Sequence, residues 1–142
     1  MAMRVAPVSQ EVLNQLVAPA VRTTEPKDAV LFRRDEPAFG IFVVLKGSVS
    51  LRLESVSGTA IIDRTVTPDS IIGLPAALSG GRYSLTAVTL EESELACLNL
   101  QALFELIKTD PKVGMEVMHA LGDEVHQMRA ILASEPPALE AP

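Results

Sequence analysis

The sequence predicts a mainly β fold: an antiparallel jelly-roll barrel with a short helix before it and a long helix after it. Three observations carry this. Short segments rich in Val, Ile, Leu and Phe recur between residues 29 and 100, each bounded by Gly, Pro, Asp or Ser. One of them, Ser48-Val49-Ser50-Leu51-Arg52-Leu53-Glu54, alternates polar and apolar residues as a half-buried strand does. Beyond Asn99 the character changes, and two helices can be read.

Taken in order, Ser9 to Val17 reads as a short amphipathic helix. Ser9 is its N-cap, Val12, Leu13, Leu16 and Val17 form its apolar stripe, and Pro19 ends it. A polar stretch runs from Arg22 to Asp28. Ala29-Val30-Leu31-Phe32 is the first strand, Asp35-Glu36-Pro37 a turn, and Phe39 to Leu45 the second strand, broken by Lys46-Gly47. The alternating segment follows. Ser57-Gly58-Thr59 is a hairpin turn, and Ile61 to Val66 returns from it. Pro68-Asp69-Ser70 turns before Ile71-Ile72, and a Gly-rich stretch occupies 73–81. Leu85 to Leu90 and Glu94 to Leu100 complete the strands, which at this spacing suit a sandwich or jelly roll. Gln101 to Lys108 is a helix. Asp110 caps a second one that Pro111 opens and that runs to about Ala133.

At 142 residues the chain fits one domain. We assign 1–133 to it, with the roll at about 25–100, the C-terminal helices at 101–133, and a Pro/Ala-rich tail, 134–142, expected to be disordered. With no Trp and only four Phe and one Tyr, the core must be aliphatic. A formal charge of −6 is a poor footprint for direct nucleic-acid binding, which rests on neutralising phosphates. Cys97 is the only cysteine; no intramolecular disulfide forms, and it reads as a small strand hydrophobe. No signal peptide and no apolar stretch long enough for a membrane span is found, so a cytoplasmic setting is expected. His119 and His126 are seven residues and roughly 10 Å apart on the outer helix face, too far to share a metal.

Met118, Leu121, Val125, Met128 and Leu132 are spaced three, four, three, four, which is a heptad seam. With Met118 at a and Leu121 at d, Glu124 falls at g and Arg129 at the following e, positions that pair across a parallel dimer. Val113, Val117 and Ala120 widen the stripe and would pack on the roll. The seam predicts a homodimer; the simpler alternative is a helix packed on its own domain.

The segment from Ile72 to Ala87 carries the functional signal. Gly73 opens one helical turn, Leu74-Pro75-Ala76-Ala77, and Gly80-Gly81 closes it. Arg82 follows, then Tyr83 and Ser84. Helix starts attract anions, and no Asp or Glu occurs between Asp69 and Glu91. One Arg, free amides and no carboxylate outline an anion pocket; a tight surface turn with a solvated Arg is the alternative.

Over roughly residues 10 to 133 the order of parts resembles the cyclic nucleotide-binding domain of the catabolite-activator and fumarate-nitrate-regulator superfamily. Leu31-Phe32-Arg33-Arg34-Asp35-Glu36 is similar to that family's entry to its roll, and Gly40 to Leu51 matches its "gi..Vl.G.v.l" hairpin, the most specific piece. Gly73 to Thr86 sits where the family keeps its phosphate-binding cassette, and the helix from Pro111 resembles its dimerisation helix. The resemblance implies cAMP or cGMP as ligand, with Gly73, Leu74, Pro75, Ala76, Ala77, Arg82, Tyr83 and Ser84 around it. Leu74 stands where nucleotide-binding members carry the Glu that bonds the ribose 2′-hydroxyl. Tyr83 intervenes between Arg82 and Ser84, and Pro75 removes an amide donor. The phosphate half of the site would then survive and the ribose half be lost, so nucleotide binding would be weak. The family normally continues past this helix into a helix-turn-helix domain, and the expectation here is a module without one.

The leading expectation is a non-enzymatic sensor whose small anionic ligand repositions the long helix, which Gln127 and Arg129 would bring to the ligand. The second is a degenerate, ligand-free module for protein–protein assembly. A cupin-like metal enzyme is the third and weakest, because neither His lies on a predicted strand.

Overall fold

The computed structural model describes residues 2–134. In chain order it has β1 (Ala2–Met3), α1 (Gln10–Val17), β2 (Val21–Glu25), β3 (Val30–Phe32), β4 (Gly40–Lys46), β5 (Val49–Glu54) and β6 (Ala60–Val66). Then come β7 (Ile71–Ile72), α2 (Leu74–Ser79), β8 (Thr86–Thr89), β9 (Ser93–Asn99), α3 (Leu100–Thr109) and α4 (Pro111–Ser134). The strands form two sheets, ordered β1-β6-β5-β8-β3 and β2-β9-β4-β7, so the roll is an open sandwich and not a closed barrel. Every strand pair is antiparallel except β1 with β6, which run parallel.

The sequence explains most of this locally. β4 lies between β9 and β7, and its run Gly40-Ile41-Phe42-Val43-Val44 is buried on both faces, as a central strand requires. Gly40 admits no side chain, because a Cβ there would sit 2.3 Å from the Leu98 carbonyl oxygen on β9. Ser9 caps α1, its Oγ accepting from the Val12 amide at 3.3 Å, and the four predicted apolar residues are buried. Asn99 caps α3 through the Ala102 amide at 2.9 Å, and Asp110 caps α4 through the Lys112 amide at 3.0 Å. Val113, Val117 and Ala120 of α4 are fully buried against the rest of the chain. Each such Val contributes about 1.5–3 kcal/mol by leaving water, which seats the first half of α4 on the sandwich.

Two strands escaped the sequence reading. β1 has only two residues. β2 occupies Val21 to Glu25, within what reads as a polar stretch, and pairs with β9 from Val21↔Cys97 to Glu25↔Ser93. Its first four residues are exposed, so it has no buried face to impose an apolar alternation. α4 extends through Ser134, one residue into the expected tail; the remaining tail, 135–142, and the Leu132 side chain lie outside what the structure describes.

Candidate functional site

The cassette begins where β7 hands over to α2. Gly73 adopts φ +86°, in the left-handed region that a side chain resists, and a Cβ there would lie 3.0 Å from the Tyr83 ring. Gly80, also left-handed, ends the six-residue α2 by donating to the Ala76 carbonyl. Leu74, Ala76 and Ala77 are buried; Leu74, at the position of the expected ribose-binding Glu, belongs to the core.

Tyr83 is the structural centre of this region. It is 2% exposed, and its ring stacks on Phe32 with centroids 3.9 Å apart. Its hydroxyl donates to the Gly40 carbonyl at 2.7 Å and accepts from the Phe39 and Gly40 amides at 3.2 and 3.3 Å. Burial pushes the phenol pKa up, and the two backbone donors only partly oppose this. Arg82 points the other way. It is exposed and donates from Nη1 to the Asp35 carbonyl at 2.7 Å.

A cavity of about 240 Å3 lies between the roll, the cassette and α4. Phe32, Leu51, Tyr83 and Leu85 wall it from the roll; Gly73, Pro75, Ala76 and Ser84 border it from the cassette; Glu124, Val125, Met128 and Arg129 close it from α4. Of the predicted ligand residues the structure thus brings Gly73, Pro75, Ala76, Tyr83 and Ser84 to one cavity, and leaves Leu74, Ala77 and Arg82 outside it. Arg82 instead borders a neighbouring groove with Phe104, Ile107, Met118, Leu121 and Val125.

Two residues that sequence reasoning did not connect tie α4 to β6. Arg64 of β6 is 4% exposed, and its Nη1 donates to Glu124 Oε1 at 3.2 Å. The same guanidinium reaches Gln127 Oε1 at 3.1 Å and the sulfurs of Met128 and Met3 at 3.1 and 3.4 Å. Glu124 is 6% exposed, and its Oε2 is the one buried side-chain polar atom without a hydrogen-bond partner among the described residues. The signal was present in the sequence: Arg64 falls on the same strand face as Ile62 and Val66, which point inward.

This corrects three expectations. The pocket is not free of carboxylates, because α4 supplies one that lies far from the cassette in sequence. Glu124 does not face Arg129 of a second chain; burial commits it to Arg64 of its own chain. Gln127 is likewise bonded to Arg64. Of the heptad residues, Met118 and Val125 are exposed at 58% and 40%, while Leu121 and Met128 are half-buried on their own domain. His119 and His126 are exposed, and no group of three metal-ligating residues occurs among the described residues. No described helix is long and apolar enough to cross a membrane. Cys97 is half-buried in β9, and burial raises its pKa.

Residues 23–110 match the family model of the cyclic nucleotide-binding domain. The chain is 27% identical over 124 residues to the transcriptional regulatory protein btr of Bordetella pertussis, covering 87% of this chain and 50% of that protein. It therefore spans about half the length of the curated relative it matches. Among solved structures it resembles the catabolite activator protein of Thermus thermophilus, with TM-score 0.77, 20% identity and coverage of 89% of this chain and 59% of the other. The c-di-GMP-responsive global regulator CLP of Xanthomonas campestris gives TM-score 0.74 at 18% identity, over 87% of this chain and 60% of the other. The sensor domain of the transcriptional regulator DNR from Pseudomonas aeruginosa gives 0.68 at 20%, over 87% and 83%. These structural likenesses confirm the fold. The family match covers more than half of the chain, and the chain belongs to the cyclic nucleotide-binding domain family.

Proposed function

From that membership we propose that this chain is a non-enzymatic sensor module of a transcriptional regulator, in which a small ligand enters the cavity beneath α4 and resets that helix. The observation that carries this reading is the cavity itself: its walls belong to the roll and the cassette, and its remaining side belongs to α4. An occupant touches both, so any difference in its affinity for two seats of α4 shifts the balance between them. The ligand is a cyclic nucleotide, cAMP or cGMP, held weakly, or another small anion, with Ser84 and Arg129 as its polar partners. Binding is weak because Arg82 lies outside the cavity, Leu74 is in the core, and the Tyr83 hydroxyl is already saturated. Exposed Met118 and Val125 of α4, with Phe104 of the neighbouring α3, support a homodimer built along α4. Sedimentation of the chain as a dimer, and of Val125→Glu as a monomer, would bear this out; a monomeric native chain would remove it.

The second reading is a ligand-free assembly module, favoured by the internal saturation of Arg82 and Tyr83. Titration calorimetry with cAMP and cGMP separates the two. The sensor reading expects micromolar to millimolar affinity, about −8 to −4 kcal/mol, weakened in Arg129→Ala and unchanged in Arg82→Ala. No heat at millimolar nucleotide, and none with inorganic phosphate, leaves the assembly module.

A further inference from the structure

We infer that the outer face of the roll carries a second site, separate from the cavity, that binds a diphosphate group through Arg33, Arg34, Arg52 and the hydroxyl of Thr86. The inference goes beyond the sensor reading and does not depend on it.

The strands set these groups in one row. In the register of β5 with β8, Arg52 lies opposite Thr86. On the other side of β8, the amide of Arg34, two residues past β3, donates to Thr86 Oγ1 at 3.0 Å. Neighbouring strands lie about 4.7–4.9 Å apart, so Arg34, Thr86 and Arg52 stand at successive strand spacings, with the hydroxyl between two arginines. Alternation along the strands puts the row on the outer face. Leu51, Leu85 and Ala87, the chain neighbours of Arg52 and Thr86, are buried inward. Leu51 and Leu85 wall the cavity, so the same backbone separates the two sites. A cleft of about 340 Å3 is lined by the row, by Arg33 and Glu54, and by the apolar Val30 and Val88.

Charge and free hydrogen-bonding capacity point to an anion. Three of the four charged residues in the lining are arginines, on a chain whose formal charge is −6. Their own carboxylate neighbours hold them loosely. Arg34 Nε meets Asp35 at 4.0 Å and Arg52 Nε meets Asp63 at 3.9 Å, and the two acids are 78% and 52% exposed. Pairs this long and this solvated are worth little. Arg52 Nε also donates to Ser50 Oγ at 2.9 Å. Among the described residues, no acceptor engages the Nη atoms of Arg34 or Arg52, or any part of the Arg33 guanidinium. The Thr86 hydroxyl accepts from the Arg34 amide and keeps its own proton to donate. A guanidinium fork matches a pair of phosphate oxygens, and a diphosphate presents one such pair to each of two forks. A monovalent anion engages only one. Glu54 acts in the opposite sense, because its carboxylate repels whatever anion the arginines attract.

The test titrates the full chain with inorganic pyrophosphate at fixed ionic strength and reads amide and arginine Nε chemical shifts. Sub-millimolar dissociation is expected, with the shifts gathered on Arg33, Arg34, Arg52, Thr86 and their neighbours. The double variant Arg34→Gln with Arg52→Gln should bind at least about tenfold more weakly and Thr86→Val about threefold more weakly, whereas Glu54→Gln should bind about threefold more tightly. Arg22→Gln, which removes an exposed arginine from β2 on the other sheet, should change nothing. The tighter binding of Glu54→Gln cannot arise from a folding defect, so it tests the site even where another variant melts early. ADP run alongside tells a free diphosphate from one carried on a larger molecule. A response of this row to pyrophosphate alone assigns the first, an equal or stronger response of the row to ADP assigns the second, and either supports the site. Unchanged affinity in the double variant, an equal loss in Arg22→Gln, or no shift of the row at millimolar pyrophosphate overturns the inference.

Discussion

The cassette from Gly73 to Ser84 and the junction between β6 and α4 border the same cavity, and they treat their polar groups in opposite ways. On the cassette side the Tyr83 hydroxyl makes three hydrogen bonds with the backbone, and Arg82 is tied to the Asp35 carbonyl on the exposed side. At the junction a buried cation and a buried carboxylate meet, and one carboxylate oxygen is left without a partner. The first region is closed chemically; the second retains unused hydrogen-bonding capacity. A glycine-rich turn followed by an arginine draws the eye in the sequence. The one unsatisfied buried side-chain atom among the described residues sits instead on α4, across the cavity from the cassette.

The largest test of this contrast is Arg64→Ala. It leaves Glu124 buried without its cation, and breaking a buried pair in this way costs about 3–5 kcal/mol. Urea unfolding should show this, while Arg64→Met with Glu124→Leu should recover most of the loss, since two apolar groups of similar size leave no charge stranded. A loss below about 1 kcal/mol for Arg64→Ala would mean that the pair behaves as a solvated surface contact.

Tyr83→Phe comes next. It strips three hydrogen bonds and leaves the Gly40 carbonyl and two amides to find other partners, for an expected loss of about 1–3 kcal/mol with the aromatic stack intact. The same residue sets an alkaline limit. Burial keeps the folded phenol protonated above its ordinary pKa, whereas in the unfolded chain it ionises near 10. Above that pH the unfolded chain holds fewer protons than the folded one, so this contribution to stability is complete below about pH 10 and declines as the pH rises through the folded value. Unfolding curves of the native chain followed by circular dichroism should weaken over that range more steeply than those of Tyr83→Phe. Equal slopes would show that the phenol titrates normally.

The smallest effect belongs to Arg82→Ala. Its one recorded bond is solvent-exposed, so a change within about 0.5 kcal/mol is expected, with no change in ligand affinity. A marked loss of affinity would return the cassette arginine to the site and reverse the comparison.

What could be read in the sequence follows from the same physics. α1, the hairpin strands β5 and β6, and the starts of α3 and α4 were legible because each pairs a local cap or turn with a one-sided apolar pattern. Ser9, Asn99 and Asp110 accept from their own first-turn amides. β2 was not legible, because an edge strand with exposed faces makes no hydrophobic demand on its residues. Of the cassette residues, Gly73, Pro75, Ala76, Tyr83 and Ser84 border the cavity and Leu74, Ala77 and Arg82 do not; the sides that Arg82 and Tyr83 take were not legible, because the choice depends on Phe32 and Gly40, about 50 and 40 positions earlier in the chain. Glu124 fitted a heptad because heptad arithmetic considers one helix alone. The residue that claims it, Arg64, lies 60 positions away.

Tyr83 also makes the molecule its own optical probe. The chain has one tyrosine and no tryptophan, so its near-ultraviolet emission arises essentially from a single phenol. That phenol borders the cavity and is stacked on Phe32. Whatever enters beneath α4 alters the surroundings of the lone fluorophore, and a change in its intensity reports occupancy without a label, a partner protein or an engineered reporter.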